Sequence, residues 1–254
     1  MKELVVLSGK GGTGKTSITA SLARLAQRPV VADCDVDAAD LHLVLSPKVR
    51  EQHVFMSGHL AQIRQPDCSA CGECFSVCRF DAITQETAAD GSPGYRIDPT
   101  ACEGCSACLQ VCPDDAIDFP DRACGHWMIS DTEVGPMVHA RLGVAAENSG
   151  KLVTTVRQQA HRLAKEGNHE LIIVDGPPGI GCPVIASLNG ASQVLLVTEP
   201  TVSGIHDLTR VLALAQHFRV PACVCVNKWD INPAMTEQIE QKAREAGAVV
   251  AGRV

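Results

Sequence analysis

Ser8-Gly9-Lys10-Gly11-Gly12-Thr13-Gly14-Lys15-Thr16 stands between an apolar stretch, residues 3–8, and a periodic one, residues 15–27. From Gly9 the run matches G-x-x-x-x-G-K-[ST], after a strand pattern and at the head of a helix pattern, the context that gives this motif its meaning. Glycines let successive backbone N–H groups turn toward phosphate oxygens, and the helix N-terminus adds its positive dipole end. Lys15 is placed to reach the β- and γ-phosphates. The Thr16 hydroxyl, with Ser17 beside it, is placed to ligate Mg²⁺. The stretch predicts a nucleotide-binding α/β fold.

Outward from the loop, Val-rich strands expected at 29–33, 170–175, 193–198 and 222–227 alternate with helices expected at 151–166, 205–217 and 233–246. Nearly continuous apolar strands between helices predict a mostly parallel sheet covered on both faces. Residues 122–150 are less regular, with short strands expected at 127–130 and 138–142.

Bulk composition narrows the function. The chain has 254 residues and a formal charge of −7, so it carries no polyanion-binding footprint and no nucleic-acid partner is expected. Aromatics at 3% are too few for a base-stacking surface. No apolar run reaches membrane-span length and no secretory leader is visible, which predicts a cytoplasmic protein without a stable membrane anchor. In a reducing compartment, 13 cysteines argue for metal or redox chemistry rather than a disulfide scaffold.

Carboxylates close two strands. Asp175 ends Leu171-Ile172-Ile173-Val174 and precedes Gly176-Pro177-Pro178-Gly179, where open α/β sheets bind ligands. It is placed to hold a Mg²⁺-bound water, and Gly179 to bring a backbone N–H to the γ-phosphate. Asp33, Asp35, Asp37 and Asp40 crowd the end of the second strand and repel one another unless a cation or catalytic role offsets them.

Eight cysteines form a duplicated run. Cys68, Cys71, Cys74 and Cys78 recur as Cys102, Cys105, Cys108 and Cys112 at a shift of 34 residues, and Asp81-Ala82-Ile83 recurs as Asp115-Ala116-Ile117. Both runs match the bacterial ferredoxin spacing, with Arg79 where the first would carry proline. In that pattern three thiolates on a tight loop hold three corners of a [4Fe–4S] cubane and the other run supplies the fourth. One cluster would take Cys68, Cys71, Cys74 and Cys112; the other Cys102, Cys105, Cys108 and Cys78. Zinc, which usually uses paired C-x2-C elements, fits two runs of four less well. The reading is an inserted α+β ferredoxin-like domain at 64–119, interrupting a P-loop domain formed by 1–63 and 120–254, with a surface loop at 88–94. Of the other cysteines, Cys223 and Cys225 read as core; Cys34 and Cys182 lie near the carboxylates, and Cys124 has no clear reading.

Taken together, the chain resembles a MinD/Mrp-superfamily P-loop ATPase carrying a ferredoxin insertion, related to the nitrogenase iron protein. The resemblance rests on Lys-Gly-Gly-x-Gly-Lys-Thr from Lys10, the Asp175–Gly179 segment with Ile180-Gly181-Cys182-Pro183, and Glu147-Asn148-Ser149-Gly150-Lys151-Leu152-Val153. It implies that Lys10 crosses a dimer interface to the partner's nucleotide, a cation set against charge developing on the transferring phosphoryl group. It also implies that Asp35 acts near Mg²⁺ and that Asp37 positions the attacking water. Asn227-Lys228-Trp229-Asp230 is similar to the base-reading tetrad of GTPases; in MinD-like proteins an Asn there serves adenine. The loop, Lys10 and the carboxylate segments favour ATP and ADP, while the tetrad leaves guanine open. A nucleotide-dependent homodimer, or a heterodimer with a paralogue, follows from the same likeness; proteins of this kind usually continue past the place of Val254 through a further loop and a terminal helix.

Three functions compete. One is an ATPase whose cycle is coupled to electron transfer or partner action through two clusters. The others are an iron–sulfur carrier or assembly factor of Mrp type, and a MinD-like positioning ATPase.

Overall fold

The computed structural model describes residues 1–87, 91–143 and 150–254. Along the chain run β1 (Lys2–Ser8), α1 (Lys15–Leu25), β2 (Val30–Asp33), α2 (Leu41–Leu45), β3 (Lys48–His59), β4 (Gln62–Ile63) and α3 (Glu73–Val77). Next come β5 (Ile83–Thr87), β6 (Pro93–Ile97), α4 (Ala107–Val111), β7 (Ile117–Asp118), β8 (Asp121–Asp131), β9 (Pro136–Leu142) and α5 (Lys151–Glu166). The chain continues through β10 (Leu171–Pro178), α6 (Cys182–Leu188), β11 (Gln193–Thr198), α7 (Val202–His217), β12 (Ala222–Val226), α8 (Pro233–Glu245) and β13 (Val249–Arg253).

Two compact units result. The first comprises Met1–His53, His126–Leu142 and residues 150–254; the second is essentially Val54–Gly125 and contains the cysteine window. The large sheet has the order β13-β12-β11-β1-β10-β2-β9-β8-β3, and from β13 to β9 every neighbouring pair is parallel. Val5 lies opposite both Val174 and Val194, and all three are fully buried. Burial on both faces explains why these strands read as unbroken apolar runs, each such valine contributing roughly 1.5–3 kcal/mol. Around them Val6, Ala20, Ala23, Leu41, Met137 and Ile173 form the core, with Cys225 inside it and Cys223 packed against it. This is the α/β P-loop NTPase fold.

Several boundaries differ from the sequence reading. The first helix ends at Leu25 rather than residue 27, because Ala26 is already extended and Arg28, at φ 47, precedes Pro29. Helix α7 begins at Val202 rather than residue 205, since the Thr201 hydroxyl accepts the Gly204 N–H at 3.0 Å and caps it earlier. Strand β10 continues past Asp175 to Pro178, and β8 and β9 are longer than the short strands expected there. Strand β3 was not foreseen, because most of its side chains are exposed and no alternation marks it. Of the expected loop at 88–94 and the 147–153 segment, residues 88–90 and 147–149 lie outside the described residues.

In the second unit the 34-residue repeat is structural. Helices α3 and α4 are repeat equivalents end to end. Left-handed residues recur as Ala70 and Gly104, Gly72 and Ser106, and Asp81 and Asp115. The strands pair across the repeats, β4 with β7 and β5 with β6, setting Ile63 opposite Ile117 and Ile83 opposite Ile97. A small core of Ala61, Cys74, Ala82, Ile83, Cys102 and Ile117 lies between them. Neither repeat completes a sheet alone.

Candidate functional site

The phosphate loop leaves β1 at its carboxyl end, where the sheet order turns from β11 to β10 on either side of β1. Glycine is required at two places. A Cβ on Gly9 would lie 2.3 Å from Asp207 Cβ, and one on Gly14, whose φ is +86, would lie 2.2 Å from Asn227 Nδ2. The Gly14 turn ends with Lys15 buried at the head of α1.

Asp175 organises the centre of the loop. Its Oδ1 accepts from Lys15 Nζ and from the Thr19 hydroxyl, each at 2.8 Å, and its Oδ2 accepts from the Thr16 hydroxyl at 2.8 Å. Lys15 Nζ also lies 3.3 Å from Asp35 Oδ2. Gly179 N–H donates to Ser8 O at 2.9 Å and fastens the Asp175 segment to the loop. Asp35 is buried with Asp33, whereas Asp37 is exposed. Burial, then the Asp175 charge, pushes the Asp33 carboxyl well above the usual range; burial also raises Asp35, against the pull of Lys15.

Among the described residues, two buried side-chain oxygens have no hydrogen-bond partner, Thr13 Oγ1 and Asp33 Oδ2. An orphan carboxylate oxygen beside Asp175 and the Thr16 hydroxyl makes an all-oxygen donor set suited to a hard cation. The described residues hold no group of three or more His, Cys, Asp or Glu side chains placed around a single ion.

Lys10 and Lys228 converge on one residue that the sequence reading missed. Lys10 Nζ lies 2.6 Å from Glu199 Oε1 and Lys228 Nζ 3.2 Å from Glu199 Oε2. Lys10 also donates to Ser203 Oγ at 3.0 Å, and Lys228 to Gly12 O at 3.1 Å. The hydrogen bond from Lys10 leads in holding the Glu199 carboxyl below its usual range. Asn227 Nδ2 donates to Thr13 O at 2.8 Å, so Asn227 and Lys228 both brace the loop. The missed signal was Glu199 closing an apolar strand, as Asp175 does; Thr19, one helical turn after Lys15, was missed as well.

The second unit presents two cysteine-lined cavities. One has Cys68, Cys71, Cys74 and Cys112 in its lining; the other has Cys102, Cys105, Cys108 and Cys78. Each therefore takes three cysteines from one run and the fourth from the other. None of the 13 cysteines is in a disulfide. Burial, reinforced by neighbouring cysteines, raises the Cys74 thiol and pushes Cys108 up to about 11. Cys34 is buried and Cys182 is exposed at the start of α6.

Residues 4–254 match the model of the CobQ/CobB/MinD/ParA nucleotide binding domain. The chain belongs to that family. It is 36% identical over 234 residues to the uncharacterized protein MJ0578 of Methanocaldococcus jannaschii, spanning 91% of this chain and 79% of that protein. MJ0579 of the same organism is 26% identical over 246 residues, spanning 91% and 82%. Among solved structures, the Cyanothece McdA(D38A)-ATP complex superposes with a TM-score of 0.54 at 15% identity, covering 100% of this chain and 83% of that one. That last likeness concerns the fold. No iron–sulfur assignment comes with these relatives, so the cluster reading rests on the cysteines. Among the described residues no helix is long and apolar enough to cross a membrane.

Proposed function

We propose that this family member is a Mg²⁺-dependent ATPase switch whose insertion holds two [4Fe–4S] clusters, its nucleotide cycle governing electron transfer or the action of a protein partner. The observation that carries the reading is the pair of cavities, each lined by four cysteines in the crossed combination that ferredoxin spacing requires. Bound clusters would supply one-electron storage at low potential.

The residues of the loop divide the work on the nucleotide. The N–H groups from Gly11 to Thr16 cradle the phosphates. Lys15, exchanging Asp175 and Asp35 for phosphate oxygens, neutralises charge on the transferring group. Thr16 and Asp175 hold Mg²⁺ directly or through water, and Asp37, exposed beyond the buried pair, orients the attacking water. Lys10 leaves Glu199 and reaches the nucleotide of a partner copy or a paralogue.

Anaerobic preparation tests the cluster half of the reading. About eight iron and eight acid-labile sulfide per chain are expected, and Cys112→Ser should remove close to half of both. Stoichiometric zinc without sulfide would overturn it. A second reading, a positioning ATPase without redox function, is favoured by membership of a family that includes MinD and ParA. On that reading MgATP drives self-association whether or not Cys112 is present.

A further inference from the structure

The two cysteine cavities are built from equivalent positions of the repeat, so their differences can be read residue by residue. Ile63, Ala116 and Ile117 line the first; Ile97, Ala82 and Ile83, their repeat equivalents, line the second. Each also has one exposed carboxylate among its lining residues, Asp114 at the first and Glu103 at the second, so fixed charge offsets between them.

The remaining substitutions do not offset. Tyr95 lines the first cavity where Ala61 lines the second, and Asp114 stands where the second has Phe80. The second cavity adds Phe119. The phenol packs against Gly72, where a Cβ would meet Tyr95 Oη at 2.8 Å; the equivalents of Gly72 and Tyr95 at the second cavity are Ser106 and the smaller Ala61. The first site therefore has a phenolic hydroxyl against Gly72, and Ala116 N–H donates to Cys112 Sγ at 3.3 Å. The second has Phe80, itself 44% exposed, and Phe119 in its lining, with Ser106 as its hydroxyl.

Resting on the two-cluster reading, we infer that the cavities are non-equivalent electron sites, the Tyr95 cavity accepting an electron first and the Phe80–Phe119 cavity lying at lower potential. Hydrogen bonds to the sulfurs and access to water stabilise the more negative reduced state, whereas an apolar wall withholds both. Tyr95 is thus a positioning residue that sets potential without ligating iron.

The test is an anaerobic redox titration of the full chain, reduced stepwise with dithionite and followed by electron paramagnetic resonance, with iron and sulfide measured on each sample. Wild type should show two resolved reductions. Tyr95→Phe, which keeps the ring, should move only the higher-potential step downward at unchanged iron content. Phe80→Ser should move only the lower step upward. Full iron and sulfide with a single merged step, or a Tyr95→Phe effect on the lower step, would overturn the inference and leave the clusters in place. Absence of iron and sulfide from wild type would instead sink the cluster reading beneath it.

Discussion

Lys15 Nζ and Asp175 Oδ1 lie 2.8 Å apart with both side chains buried, and Asp35 approaches the same ammonium at 3.3 Å. One cation thus stands among three buried carboxylates, Asp33, Asp35 and Asp175. Removing one member of such a group costs more than the pair is worth, because the remaining charges stay buried without compensation.

Lys15→Ala should therefore abolish ATP turnover and also lower folding stability, by about 3–5 kcal/mol. Adding Asp175→Asn to it should recover part of that loss. A double-mutant cycle by denaturant unfolding, run without nucleotide, measures the coupling; strictly additive losses would show that the pair does not act as a unit.

Asp33 gives a pH dependence of opposite sign to an ordinary salt-bridged carboxylate. Its folded pKa is raised, chiefly by burial, so between the ordinary carboxylate range and that raised value the native state binds more protons than the unfolded chain. Stability from this group falls as pH rises through that window. Asp33→Asn should raise the melting temperature, and the gain should grow as pH rises above the ordinary carboxylate range. A gain that shrinks with pH would contradict the assignment.

His139 acts at the acid end. It is buried against Ser130 Oγ at 2.8 Å, and its pKa is lowered to about 4, by burial first and then by His42. The unfolded chain takes up this proton first, so stability present above pH ~6.5 is lost as pH falls toward 4, up to about 3 kcal/mol. His139→Gln should flatten the melting-temperature profile between pH 6.5 and 4.5, and an unchanged slope would exclude His139 as its source.

Glu199 neutralises both Lys10 and Lys228 at the loop. Glu199→Ala should leave two uncompensated cations beside the phosphates and tighten ATP binding by a few-fold at low salt, the gain disappearing near 1 M salt as charges are screened. Titration calorimetry at two ionic strengths decides the matter. Weaker binding at low salt would mean that Glu199 serves mainly to order the loop.

What was legible follows from what each signal depends on. The phosphate loop, the parallel strands and the cysteine sets are written in local patterns: glycine spacing, unbroken valine runs and a repeat at a fixed shift. Strand β3 has no such pattern, since most of its side chains are exposed and their partners, Asp131 for Arg50 and Trp127 for His53, arrive from distant sequence. Glu199 was missed for another reason. Its role depends on Lys10 and Lys228 arriving from distant parts of the chain, and a carboxylate after a strand does not announce its partners. Asn227 shows the same limit, for its side-chain amide holds Thr13 O, a contact no tetrad spacing encodes.

Gln62 and Asp118 are partners across β4 and β7. The path through the whole cysteine-bearing stretch thus starts and finishes one strand spacing apart, about 4.8 Å. A two-residue reverse turn closes a gap of that size. The stretch between them is thus tied at its base, and no long connection is needed to bring its two ends together.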